Sequence, residues 1–373
     1  MKQYDLAIVG SGILGLAHAL AASRLGLRVV VVERDQRAVG ASIRNFGFVT
    51  VTGQQQGECW RRAMRSRDVW DEVAPLAGIA VSHRGLSVIA RRPEAEAVLE
   101  AFSRTPEMGQ GCTLLSASEA RRRFAWLTGD VRCVLASPHE RRVESRDAIP
   151  RLAQWLAEAR GVAFLRGVAV HGVERGRLAT SQGSIAARHI VVCPGDDLAT
   201  LFPDRMAEYG ISRSKLQMMR LRPRKPFTLG TAVMTDLSLV RYQGYSELPE
   251  AATLLARLRA EQAPHLAGGV HLIAVQSADG SLVIGDTHVY GDTMDPFGDN
   301  ALDELVLDEF RAVFPDVAYD ITERWIGTYA SADSRLALID TPAEDIRLVI
   351  VTSGTGASTA FAIAEEVIGD LCR

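Results

Sequence analysis

The feature that most constrains this chain lies in its first 33 residues, which read "YDLAIVG", "ILGLAHALAASRLG" and "LRVVVVE". A short apolar run ends in glycine, helical apolar spacing follows and closes at Gly26, and a β-branched run ends at Glu33. Gly10, Gly12 and Gly15 form GxGxxG at the strand-to-helix turn. Such glycines allow a tight turn, close approach of a pyrophosphate and close helix–strand packing, and the helix N-terminus offers free N–H groups to the anion. Glu33 is placed to accept from a ribose 2′-OH, which disfavours NADP; Arg34 weakens that exclusion only slightly. FAD and NAD share this fingerprint, so the choice between them needs other residues.

"ARHIVVCPG" and "IRLVIVTSGTG" repeat the pattern of a β-branched strand entering a glycine loop, and "ASTAFAIAEEVIGDL" reads as a closing helix. Strands without polar alternation belong in a parallel sheet buried on both faces. Residues 212–295 instead alternate, and "SADGSLVIG" reads as a hairpin turning at Asp279-Gly280. The expected fold class is α/β. A discontinuous Rossmann-type nucleotide domain (1–80, 145–211 and 320–373) carries an inserted, mainly antiparallel substrate domain (81–144 and 212–319). "HERRVESRD", from His139 to Asp147, reads as a solvated loop entering a helix.

A net charge of −3 argues against nucleic acid and anionic membrane surfaces as partners. No apolar run approaches the roughly 18 residues of a membrane span. Five cysteines without CxxC spacing suggest neither a disulfide framework nor a zinc site, so no metal is expected and a reducing cytoplasm fits best. HExxH, GxSxG and P-loop patterns are missing from the sequence.

Past Glu33 comes "GASIRNFGFVTVTGQ", too glycine-rich for a helix and too polar for a buried strand. "GASIRNFG", the fingerprint, "VVCPG" and "TSGTGAS" together resemble the FAD-dependent amine oxidoreductases of the D-amino-acid-oxidase, glycine-oxidase and sarcosine-oxidase family. The resemblance implies a glutathione-reductase-like FAD domain. It places Ile13 and Leu14 of the fingerprint, Ala41, Ser42, Arg44, Asn45 and Gly47 along the flavin, with Val168 on the adenine side. Cys193, Pro194, Gly195, Gly327, Gly354, Thr355, Gly356, Ala357 and Ser358 complete the implied cofactor set. A strand stopping at "SGTG" before a helix also aims N–H groups and a positive dipole end at one point, which suits a reduced flavin. "WIGTYASADSR" has no cysteine, so non-covalent FAD is expected.

A narrower resemblance, in "SIRNFGFV", "SKLQMMR", "IGDTHVYG" and "RWIGTYAS", is to a bacterial clade associated with phosphonate breakdown. It implies oxidation of an aminophosphonate such as 2-aminoethylphosphonate or its N-methyl form, with O2 or another electron acceptor. The flavin carries the electron chemistry, so no catalytic base is required of the sequence. Arg44, Lys215, Gln217, Arg241, Tyr242, His271, His288, Tyr329 and Arg335 are the candidates for the substrate, since a phosphonate needs cations and N–H donors. Oxidation of glycine, sarcosine or a D-amino acid is the alternative within the family. A flavin-binding protein without turnover and an NAD-dependent dehydrogenase are alternatives outside it. Oligomeric state has no signature here.

Overall fold

The computed structural model describes residues 3–372, arranged around two sheets. In the first sheet the order is Ala337–Ala343, Ile346–Val351, Gly183–Val192, Gln3–Val9, Val29–Glu33, Ala163–Arg166. The last five of these run parallel. Val29 and Val31 enter one hydrophobic cluster while Val30 and Val32 enter another, so the strand has no polar face to alternate. Helices Ile13–Arg24 and Gly356–Leu371 pack together over one face, with Glu58–Leu76 against the second of them. From Gln3–Val9 the sheet grows both ways, and at that reversal the loops leaving the C-terminal strand ends open a crevice.

The second sheet has ten strands. Its spine is Ser212–Pro223, Leu282–Gly285, Ile273–Gln276, Ala232–Met234, Val81–Ala90 and Cys133–Val143, antiparallel except where Ala232–Met234 meets Val81–Ala90. The hairpin between Ile273–Gln276 and Leu282–Gly285 turns at Gly280 with φ +81°, as the Asp-Gly pair predicts.

Two expectations are corrected. Residues 320–331, grouped by sequence with the nucleotide domain, lie in strand Tyr319–Ser331, which pairs along Ser212–Pro223 in the second sheet and meets the first through Ala330 and a bridge from Ser331 to Ser353. Phe48–Val49 also joins the second sheet, on Cys133–Val143. The first part of the charged run, residues 139–143, is the end of that same strand and not a solvated loop, while helix Ser145–Arg160 begins within the run as expected. The strand's buried charges meet partners from other segments, though Glu140 Oε2 has none: Glu140 Oε1 accepts from the Thr52 N–H at 2.7 Å, and Arg141 pairs with Asp71 at 2.6 Å. Arg142 pairs with Glu144 at 3.1 Å. No helix among the described residues is long and apolar enough to cross a membrane.

Candidate active site

A cavity of about 410 Å³ opens at the sheet's reversal and runs from the first glycine loop to the second sheet. Gly12, Ile13, Leu14 and Gly15 line one end. Gly10, at φ +97°, underlies them: a Cβ there would meet the Cys193 carbonyl at 2.4 Å. A Cβ on Gly15 would meet the Gly10 carbonyl at 2.0 Å, so both positions need glycine for backbone approach. Glu33 braces the loop, accepting from Ser11 N–H and Oγ–H at 2.8 Å each.

"GASIRNFG" forms the side of the cavity. Ser42 Oγ accepts from the Ile13 N–H at 2.9 Å, which docks the loop on the helix N-terminus. Asn45 shapes its own turn, donating to the Ala41 carbonyl at 2.7 Å and accepting from the Gly47 N–H at 2.6 Å. Ala41, Ser42, Arg44 and Asn45 all line the cavity, with Cys193 and Gly195 nearby. At the other helix start, Gly354 (φ +72°), Thr355, Gly356, Ala357 and Ser358 line it as well, beside Gly327. Trp70 Nε1 holds this turn by donating to the Ala357 carbonyl at 2.8 Å, and Ser358 Oγ accepts from the Thr50 N–H at 2.8 Å. Two helix N-termini thus face one cleft whose glycines exclude side chains, a set that fits a dinucleotide carrying phosphates and a flat ring.

Several expected cofactor residues stand outside the lining. Gly47 is needed for packing, since a Cβ would meet the Val143 carbonyl at 1.8 Å. Arg34 pairs with Asp197 on the surface at 2.7 Å. Val168 is buried in the core behind Glu33, whose carbonyl takes its N–H at 3.0 Å. Gly10, Glu33 and Pro194 also lie behind the wall rather than in it.

Of the substrate candidates, Arg44, Arg241, Tyr242, His271, His288 and Tyr329 line the cavity. Lys215 and Gln217 do not, because strand parity turns Leu216 and Met218 inward instead. The Lys215 ammonium donates to the Asp295 and Phe297 carbonyls at 3.0 and 2.9 Å. Gln217 donates to Asp303 at 2.6 Å and holds the start of helix Asn300–Val313. Arg335 stacks over Tyr209 at 4.6 Å, away from the cavity.

Asp286 and Tyr290 line the cavity and were missed by sequence reasoning. The signal was the spacing in "DTHVY", where i, i+2, i+4 in an extended segment share a face. His271, Asp286 and His288 are all buried. Burial pushes His288 down to about 3 and lowers His271, so both rings are neutral near pH 7. Burial acts to raise Asp286, but His288, His271 and Arg241 outweigh it and the carboxyl is held low. Burial pushes Tyr329 up to about 12 and also raises Tyr242, so both remain phenols. Arg241 stays a cation: burial opposes its charge, and Tyr329, Tyr290 and Asp286 more than restore it.

The family model for DAO, FAD dependent oxidoreductase, matches residues 5–369. No curated relative matches the sequence. Among solved structures, glycine oxidase from Geobacillus kaustophilus is similar with TM-score 0.78 at 19% identity, covering 100% of this chain and 95% of its own. L-proline dehydrogenase from P. horikoshii gives TM-score 0.78 at 21% identity, covering 98% and 92%. L-alpha-glycerophosphate oxidase from Mycoplasma pneumoniae, solved with FAD bound, gives 0.76 at 16% identity, covering 100% and 96%.

Proposed function

The chain belongs to the DAO family of FAD-dependent oxidoreductases, and from that premise we propose that it oxidises a short anionic amine at the carbon next to nitrogen, the substrate being an aminophosphonate. 2-Aminoethylphosphonate and its N-methyl derivative are the compounds that suit the site. The observation that carries this reading is Arg241. Its guanidinium lines the cavity and donates to Tyr290 Oη at 3.1 Å, and among the described residues no carboxylate lies within ion-pair distance of it. A half-buried cation without a carboxylate partner is a ready counter-charge for an anionic tail.

Bound FAD would supply the two-electron acceptor, held by the glycine loop, Ser42 and the Gly354–Ser358 turn. The chain's own part is to orient and to exclude water. Arg241 fixes the anion, and Tyr242 and Tyr329 offer phenol hydroxyls beside it. The net change converts the carbon–nitrogen single bond to an imine. Water then releases phosphonoacetaldehyde with ammonia or methylamine.

The likeness to glycine oxidase and L-proline dehydrogenase favours a second reading, with a carboxylate on the substrate instead of a phosphonate. The two separate in one experiment. The purified yellow protein is mixed anaerobically with 2-aminoethylphosphonate, its N-methyl derivative, glycine, sarcosine and D-alanine while flavin absorbance is followed. Selective bleaching by an aminophosphonate supports the first reading; bleaching by the carboxylated amines alone discards it.

A further inference from the structure

In the same cavity, three buried side chains bring ring nitrogens and a carboxylate together. His288 Nδ1 lies 3.0 Å from the Gly269 carbonyl; a carbonyl only accepts, so the proton is on Nδ1 and Nε2 carries a lone pair. That Nε2 faces Asp286 Oδ2 at 3.7 Å. Ser238 Oγ lies 3.3 Å from His271 Nδ1 and 3.4 Å from the Leu272 carbonyl, and when it donates to that carbonyl its oxygen accepts from Nδ1–H. In that tautomer His271 Nε2 offers a lone pair 2.9 Å from Asp286 Oδ1. That oxygen is buried without a hydrogen-bond donor. The cluster asks for a cation.

Spacing decides which one. Ligands about 2.1 Å from a metal stand about 3.0 Å apart at a right angle and about 3.4 Å apart at a tetrahedral angle. Acceptors about 2.8 Å from an ammonium nitrogen stand about 4.6 Å apart. The 2.9 Å from His271 Nε2 to Asp286 Oδ1 and the 3.7 Å from His288 Nε2 to Asp286 Oδ2 both lie nearer the metal spacing than the ammonium one. We propose that His271, Asp286 and His288 form a site for a divalent transition-metal ion of the zinc class. Two imidazoles and one carboxylate suit such an ion, and the second nitrogen of each ring is already fixed by Ser238 or Gly269. The ligands, distant in sequence, meet because the hairpin continues past its strands. His271 and Asp286 exchange backbone hydrogen bonds at 3.2 and 2.9 Å. This revises the expectation of no metal, which rested on the missing CxxC and HExxH spacings. Open coordination positions face the cavity, where an oxygen of the anionic tail would complete them; that role, unlike the ion itself, rests on the amine reading.

The test counts metal. Untagged, FAD-loaded full-length protein expressed in zinc-supplemented medium is exchanged into metal-free buffer and its metal measured by mass spectrometry. About one equivalent per chain is expected, falling at least about tenfold in His271→Gln and in His288→Gln while the flavin spectrum persists. Should either variant fail to fold, chelator-stripped native holoenzyme titrated with Zn2+ is expected to show saturable one-to-one binding. No equivalent in the native protein and no saturable binding of Zn2+, Co2+ or Ni2+ would overturn the site, as would undiminished metal in folded variants. Methylammonium perturbing the flavin spectrum of stripped protein that binds no metal, with the effect lost in the variants, assigns the cluster to the substrate nitrogen and also overturns it. Metal content does not depend on any amine being oxidised, so failure of the proposed reaction reads out separately.

Discussion

Gly354 holds a left-handed conformation, and a Cβ there would stand 3.2 Å from the Tyr329 ring. Gly354→Ala therefore costs about 1–2 kcal/mol at the turn that is proposed to hold the cofactor, and the expected outcome is roughly tenfold weaker FAD retention, read as the flavin-to-protein absorbance ratio. Arg241→Met removes a charge-assisted hydrogen bond to the proposed anionic tail, worth about 1.5–3 kcal/mol. Steady-state kinetics should show KM raised about 10- to 100-fold with kcat changed less. Arg335→Met, outside the cavity, should leave KM within about twofold. The glycine positions were legible because tight turns are local. Lys215 and Gln217 were not, because which face of a strand meets a cavity depends on pairing with residues about 100 positions later, and a shift of one reverses every side chain.

At the scale of elements, the strand ending "HERRV" shows where charge patterning misleads. A run of charges reads as solvated unless partners are known, and the partners here, Thr52 and Asp71, come from other segments. Asp71→Asn leaves Arg141 with its carbonyl contacts but without its counter-charge. Asp71 is itself partly exposed, so a discounted loss of about 1–3 kcal/mol is expected, visible as a lower urea midpoint at unchanged slope. Glycine-ended parallel strands and the Asp-Gly hairpin were legible because periodicity and turn chemistry belong to single segments. The sheet to which Tyr319–Ser331 belongs was not, since both sheets meet at its last residue.

Over the whole molecule, acid sensitivity follows from two buried histidines. Burial lowers His18 to about 4; its Nδ1–H donates to the Leu14 carbonyl at 2.7 Å and its Nε2 is buried without a partner. Burial, with Arg142 adding, also lowers His83 to about 4. Unfolded, each titrates near 6.5, so the unfolded chain binds protons first as pH falls. Stability is full above about pH 6.5 and is lost progressively toward pH 4, and His18→Leu should flatten the Tm-versus-pH curve in that window. Cofactor acts on the same scale: FAD at 100 times its Kd adds about 2.7 kcal/mol, so deflavinated protein should melt lower and recover on reconstitution.

The nucleotide sheet is closed in space by Ile346–Val351, pairing with Gly183–Val192, which in turn pairs with Gln3–Val9. During synthesis, then, the fingerprint waits at the ribosome for a strand made more than three hundred residues after it. A nascent chain stopped short of Ile346 lacks both that strand and the Gly354 turn, and should emerge colourless however much FAD surrounds it. Loading with the flavin is in this sense a checkpoint on completed translation, with the yellow colour marking chains that have passed it.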